Sequence, residues 1–378
     1  MSITTIKFTT QFENLNDLIQ AKASFEQKHP DVQIDIEQVT DNFESLRAFN
    51  SDAPPDIMDS GGWALCLKEG LFIDLMPCVR EIDGLEEDLN AGILGVALQD
   101  DKLTGLPIDI SVPLILINKA MFDRAGLPYP TDDWTWDEMI ELGKKLTIRD
   151  DQGLATQFGF GTGVDIEYFE PFVMRNGGRY LSPDGRTARG YVDSPATIEA
   201  FKKVVDMFRV HHINRNPGEP SGAGELHQGF AMVFAFTWFT GGLIHHNIDD
   251  HFEVVGLPRM PGEEEANMIY MGGCGITTKS QHPDLAWAFL RHYILERPER
   301  FQQANVLPLT YSLAQQSGMT ENKFWQRYLK ELEVVQTSGF YLNERWNSSR
   351  QLINQDMERM ILDGDDVGQL LRSWTRYA

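Results

Sequence analysis

Cysteine is scarce: 378 residues hold three, Cys66, Cys78 and Cys274, at spacings that no metal site uses. An odd count leaves at least one thiol without a partner, so buried free thiols are expected, with a Cys66–Cys78 bridge as the alternative. Positive charge is also short. Lys plus Arg number 33 against 56 Asp plus Glu, a net charge of −23, and such a chain repels the phosphate backbone that supplies most nucleic-acid affinity. Anionic lipid is disfavoured on the same ground, although a lipid attached at the N-terminus would need no protein charge. Long apolar runs are missing too. Phe230 to Phe239 and Ile108 to Asn118, the second interrupted by Pro113, fall well below the ~20 residues that span a bilayer. The opening Met1-Ser-Ile-Thr-Thr carries no basic segment, apolar stretch or small-residue cleavage site, so any export signal is expected to have been removed or never to have existed. Internal repeats and low-complexity linkers are likewise missing.

What is present is a globular composition, 42% apolar, in a chain longer than one core usually serves; at roughly 150 residues per domain two are expected, or three. Ile3 to Thr10 reads as a strand. Asn14 with Asp17 caps a helix carrying Leu15, Leu18, Lys22 and Phe25 at helical spacing, and His29-Pro30 ends it. Val32, Ile34 and Ile36 then alternate with Gln33, Asp35 and Glu37, the pattern of a strand with one buried face. Ala53-Pro-Pro-Asp-Ile-Met leads into another strand, followed by a helical stretch from Trp63 to Glu69 that Gly70 stops. Later helices announce themselves by Thr135-Trp-Asp-Glu138, a capping box, by Ser194-Pro195, by Pro283, and by the spacing of Leu352, Ile353, Met357, Met360 and Ile361 before Gly364. Val367 to Trp374 reads as a short last helix. Strands alternating with helices predict open sheets covered on both faces, an α/β fold.

A series of segments resembles, in order, the sugar-binding proteins of ABC importers, the extracellular solute-binding group that includes maltose-binding protein. They are Phe25-Glu-Gln-Lys-His-Pro-Asp-Val-Gln-Ile, Ala53-Pro-Pro-Asp-Ile, Glu69-Gly-Leu-Phe-Ile-Asp-Leu, Leu103-Thr-Gly-Leu-Pro-Ile-Asp, and Ile117-Asn-Lys-Ala-Met-Phe-Asp-Arg-Ala-Gly. Thr135-Trp-Asp-Glu-Met, Asn176-Gly-Gly, Gly229-Phe-Ala-Met, Val255-Gly-Leu-Pro, Met271-Gly-Gly and Ala286-Trp-Ala-Phe-Leu continue the series. The resemblance implies a two-lobed, periplasmic-binding-protein-like (type II) fold with the ligand cleft between lobes and hinge closure on binding. By that pattern one lobe would be 1–110 plus 270–315 and the other 112–265 plus 320–378, with crossings near 109–113, 265–272 and 312–320. It further implies a monomer without cofactor or bound metal, on the extracellular side of the cytoplasmic membrane, either lipid-anchored or periplasmic. The expected partners are a sugar or oligosaccharide and the permease subunits of an ABC transporter, and no catalysis is expected.

A sugar needs flat aromatic platforms and several fixed donors and acceptors. Candidates in suitable loops are Asp59 and Trp63 after the strand at Asp56 to Met58, and Asp109 with Ser111, two apart and so on one face of an extended run. Trp238 in Phe236-Thr-Trp-Phe-Thr matches a position where the resembled family often stacks an aromatic. Glu167 and Tyr168, either of which could be the one that reaches ligand, Arg345 and Trp346, and Gln11, Phe12 and Glu13 complete the set, with Gly272 and Gly273 allowing close backbone approach. The family's frequent tryptophan after the first strand is absent here. Trp134, Trp136, Trp287 and Trp325 read as core. Gly159-Phe-Gly-Thr-Gly lacks the lysine of a phosphate loop and reads as a turn; His245, His246 and His251 lack a zinc motif. The alternatives are a non-sugar solute, such as a peptide, polyamine or metal complex, and a carbohydrate-active enzyme.

Overall fold

A computed structural model describes residues 3–12, 14–224, 226–301 and 305–378, with backbone alone for 226 and 227. The chain divides into two compact units, Met1–Ser111 with Tyr270–Asn322, and Val112–Ile269 with Lys323–Ala378.

In the first unit, β1 (Thr4–Thr10) pairs in parallel with β2 (Val32–Gln38) on one side and with β3 (Ile57–Ser60) on the other. Val32 and Ile34 of β2 are buried while Gln33 and Asp35 are exposed, as the alternation predicts. The helix between them, Asn16–Lys28, turns Leu18, Ala21 and Phe25 inward. Phe25 meets Phe289 edge-on at 5.2 Å, and Ser24 hydrogen bonds to His292 at 2.7 Å, so this helix packs against the helix Pro283–Leu295. The chain returns antiparallel twice: β4 (Leu106–Ser111) pairs with Tyr270–Cys274 of β10 (Asn267–Ile276), and β10 pairs with β3, giving the order β2-β1-β3-β10-β4. Between Gly272, opposite Ile108, and Tyr270, opposite Ser111, β4 holds one residue more than its partner. This is a bulge, and Asp109 occupies it with φ 50°, a left-handed backbone that Asp tolerates better than most side chains.

In the second unit the order is β6-β7-β8-β5-β9, with β5 (Pro113–Asn118), β6 (Ile148–Arg149), β7 (Ala155–Gly161), β8 (Phe230–Phe236) and β9 (Phe252–Val255). β7 and β8 are parallel, and the other neighbours antiparallel. Residues Asn267–Ile269 of β10 pair here with β11 (Val335–Thr337). β5 and β8 are buried along their whole length, which explains why they read as continuous apolar runs. Thr135 closes its capping box with Glu138 on the helix Trp136–Leu146, and Ser194 caps Pro195–Arg209.

Two local expectations change. The helix foreseen from Trp63 to Glu69 is a single 3-10 turn, Trp63–Leu65, because Trp63, Leu65 and Cys66 all point inward and leave no solvent face for a longer helix. The run from Pro107 to Asn118 is two strands rather than one, and the bulge at Asp109 undoes the expected pairing of faces: Ser111 is fully buried while Asp109 stays partly exposed. All three cysteines are free, Cys66 and Cys274 buried and Cys78 half-buried. Among the described residues no helix is long and apolar enough to cross a membrane.

Candidate functional site

Open α/β sheets present ligands with the loops at the carboxyl ends of their parallel strands, above all where neighbouring strands lead off to opposite sides. In the first unit β1 is such a place, since the chain leaves it for β2 on one side and returns as β3 on the other. Gln11 follows β1, and its N–H donates to Asp59 Oδ1 at 2.8 Å; Asp59 and Ser60 end β3. Cys274 and Gly273 of β10 lie opposite Asp59 and Ser60, and β4 brings Asp109 to the same edge. Gln11, Asp59, Asp109, Gly272 and Gly273 are therefore gathered by register. Phe12 lies beside them, its N–H donating to Thr10 Oγ1 at 3.2 Å; Glu13 lies outside the described residues.

Asp59 is fully buried, and its Oδ2 finds no well-formed hydrogen bond. Burial pushes its carboxyl up to about 7, with Thr10 and the Gln11 N–H pulling the other way. Trp63 is 1% exposed, so its ring is not the open platform expected of it: the ring packs where a Cβ on Gly273 would lie 3.0 Å away. Its indole Nε1, however, is buried without a partner. Gly272 and Gly273 are likewise corrected, because the room left by their missing side chains is taken by Ser60 O, Ile108, Cys66 and Trp63 rather than left open. Ser111, fully buried, belongs to the sheet.

An ion cluster at this edge is absent from the sequence expectations. Arg300, from the 3-10 turn Pro298–Phe301, places Nε 2.9 Å from Asp17 Oδ2 and Nη2 3.3 Å from Asp109 Oδ1, with its guanidinium 5.0 Å from the centre of the Tyr293 ring. Arg297 Nη1 reaches Asp17 Oδ1 at 2.7 Å. Arg297 is buried and Arg300 nearly so, and they arrive because the helix before them packs on the helix whose first turn holds Asp17. Burial raises the Asp109 carboxyl while Arg300 opposes that shift. No spacing signal marks this set, since Asp17, Asp109 and Arg300 are far apart in sequence and two of them sit in helix-terminal contexts.

In the second unit the carboxyl ends of β7 and β8 carry the other candidates. Trp238 follows β8, stacks on Phe236 with centroids 4.3 Å apart and planes at 15°, and is 39% exposed. Tyr168 leans on Phe234 and Phe236 at 5.7 and 5.8 Å, so Tyr168, Phe236 and Trp238 form a continuous aromatic step. Glu167 turns to Arg350, whose Nη2 lies 3.0 Å from Glu167 Oε2 and whose Nε lies 2.9 Å from Asp165 Oδ2, the guanidinium resting 4.8 Å from the Phe340 centroid. Glu167 Oε1 is buried and unpartnered, and burial raises this carboxyl against the pull of Arg350. Trp346 is a correction: at 1% exposure it fills the core against Tyr180, centroids 5.7 Å apart, because it sits on the inward side of the helix Glu344–Ser348 while Arg345 takes the exposed side. Trp134, Trp136 and Trp325 are buried and Trp287 half-buried. An open concavity of about 750 Å³ on this unit, between Thr162–Val164 and Asn214–Gly218, takes in none of the expected residues.

The fold matches solved structures along its whole length. A sugar-binding protein MalE from Xanthomonas citri superposes with a TM-score of 0.82 at 18% identity, covering 98% of this chain and 96% of that one. An ABC substrate-binding protein from Listeria monocytogenes in complex with cycloalternan does so at 0.79 and 19%, covering 99% and 98%. The architecture is thus the α/β periplasmic-binding-protein fold. Residues 8–297 match the model of the bacterial extracellular solute-binding proteins, and the chain belongs to that family. Among curated relatives, the sn-glycerol-3-phosphate-binding periplasmic protein UgpB of Brucella abortus is 26% identical over 340 residues, covering 84% of this chain and 76% of the relative.

Proposed function

We propose that this protein captures a neutral sugar or short oligosaccharide without chemical change and delivers it to the permease of an ABC importer, at the extracellular face of the cytoplasmic membrane, free or held by a lipid. The observation that carries the ligand class is that two buried polar atoms, Asp59 Oδ2 at the end of β3 and Trp63 Nε1 in the turn that follows it, each find no well-formed hydrogen bond. A hydroxyl both accepts and donates, so it can answer either atom and either protonation state of Asp59, whose carboxyl burial pushes up to about 7; a phosphate would meet a like charge whenever that carboxyl is ionised. The arginines nearest that edge are already paired to carboxylates. The aromatic step of Tyr168, Phe236 and Trp238 supports the same reading, since sugar rings stack on such faces. Solved proteins of this fold carry cycloalternan or maltotriose, whereas the curated Brucella relative is named for sn-glycerol 3-phosphate. The charge pattern here favours the first kind of ligand.

The deciding experiment is a thermal-shift screen against neutral mono- and oligosaccharides, uronate-containing sugars, sn-glycerol 3-phosphate and peptides, because a ligand that binds only the folded state raises the melting temperature by mass action. A saturating rise with one neutral sugar class is expected, at micromolar affinity, about −8 kcal/mol. A rise with the phosphate or peptides and none with neutral sugars would overturn the assignment. Recovered oligosaccharide should be uncleaved; cleavage products would overturn the non-catalytic part.

A further inference from the structure

We propose that Asp17 sets the charge selectivity of the first unit's site: by occupying Arg300 and Arg297 it withholds from the ligand the guanidinium groups that would otherwise bind an anion. The inference rests on the reading that solute binds at the carboxyl-end edge of β1 and β3.

Asp17 lies in the first turn of the helix that follows β1, and each carboxylate oxygen takes one arginine, Oδ1 with Arg297 at 2.7 Å and Oδ2 with Arg300 at 2.9 Å. Arg300 is then completed by Asp109 at 3.3 Å and by the Tyr293 and Phe301 rings at 5.0 and 5.6 Å. A guanidinium offers five donors in a plane and is the usual grip on a carboxylate or phosphate. Here the same fork is turned onto two carboxylates of the protein. Asp109 is the contact between this cluster and the sheet edge, held in a left-handed backbone within its bulge. Removing the charge at position 17 leaves Arg300 with Asp109 and Arg297 with its exposed neighbour Glu299, so the cluster passes from two arginines against three carboxylates to two against two, and each arginine is released from one of its carboxylates. Specificity is a difference of affinities, and a carboxylate that pre-empts the cation acts against anions while leaving hydroxyl recognition at Asp59 and Trp63 in place.

The test compares the full chain with Asp17→Asn in calorimetric titrations with sn-glycerol 3-phosphate, with glucuronate, and with the neutral sugar found for the parent. Because two arginines lose a partner, the double variant Asp17→Asn/Arg297→Gln is measured beside it to restore the charge balance and the fold, and circular dichroism confirms that each chain is folded. At least a tenfold gain for one anion relative to the neutral sugar is expected in Asp17→Asn, shrinking as salt is raised, and none in the double variant, which gives up a guanidinium together with the carboxylate and so keeps the parent's net charge. Equal change for anion and neutral sugar in Asp17→Asn, no gain for either anion in it, or an equal gain in the double variant, would overturn the role of Asp17. Failure of the parent to bind any neutral sugar would overturn the underlying reading instead, so the two failures are distinguishable.

Discussion

Glu170 offers a measurable pH signature. It lies on the helix Ile166–Arg175, is 2% exposed, and accepts hydrogen bonds from the Gly339 N–H at 2.7 Å and from the Ser338 hydroxyl. Burial nevertheless raises its carboxyl from 4.5 to about 8, with the two hydrogen bonds opposing and Glu167 adding to the rise. The folded state therefore holds this proton more tightly than the unfolded chain does. Stability from the neutral carboxyl is complete below 4.5 and drains away as pH rises through about 8. Between about pH 5 and pH 8 the loss amounts to roughly 3 kcal/mol, because a proton held by the folded chain alone makes stability fall by about 1.4 kcal/mol for each step of one in pH. Glu170→Gln keeps the size, accepts from Gly339 through its carbonyl and donates to Ser338, but does not titrate. Urea unfolding at pH 5, 6.5 and 8 should show the parent losing stability relative to Glu170→Gln by about that amount. Asp59, raised in the same direction, titrates in both chains and cancels from the difference. Parallel pH profiles for the two chains would refute the reasoning.

Three further outcomes follow from the packing. Trp238→Ala should weaken sugar binding at least tenfold, roughly 1.4 kcal/mol or more, with little change in melting, whereas Trp346→Ala should cost about 3–5 kcal/mol of stability by opening a core cavity; equal melting losses would erase the distinction between an exposed stacker and a core residue. Gly273→Ala places a Cβ 2.3 Å from Cys66 Sγ and 3.0 Å from the Trp63 ring, so chemical denaturation should show a loss of about 1–3 kcal/mol, and an unchanged midpoint would mean that the strand has room. Thr135→Ala removes the capping box and should cost about 1 kcal/mol in the same assay, with no change in ligand affinity.

The α/β class and many helix starts were legible because they depend on local signals: the Thr135 box, the Ser194-Pro195 cap and the alternation in β2 all survive in the structure. Asp59, Asp109 and Trp238 could be singled out because polar or aromatic residues stood at the ends of apparent strands. The faces of Asp109 and Ser111 were misjudged for want of the bulge, which exists only through pairing with β10. Trp63 and Trp346 show a related limit. A tryptophan in a short helical turn satisfies stacking and core equally well until its neighbours are known, and here Gly273 and Tyr180 decide for the interior. The Asp17–Arg300–Asp109 cluster was invisible for a topological reason, since its members meet only when the helix Pro283–Leu295 docks on Asn16–Lys28.

The three free thiols have a practical consequence. Burial holds Cys66 and Cys274 as thiols well above the usual range, and a protonated, inaccessible sulfur does not react with maleimides or iodoacetamides. Cys78 alone is within reach of such a reagent. Replacing it with Ser yields a chain silent to alkylation, onto which one new cysteine beside Trp238 can carry an environment-sensitive dye, turning solute capture into a fluorescence reading without removing any other native sulfur.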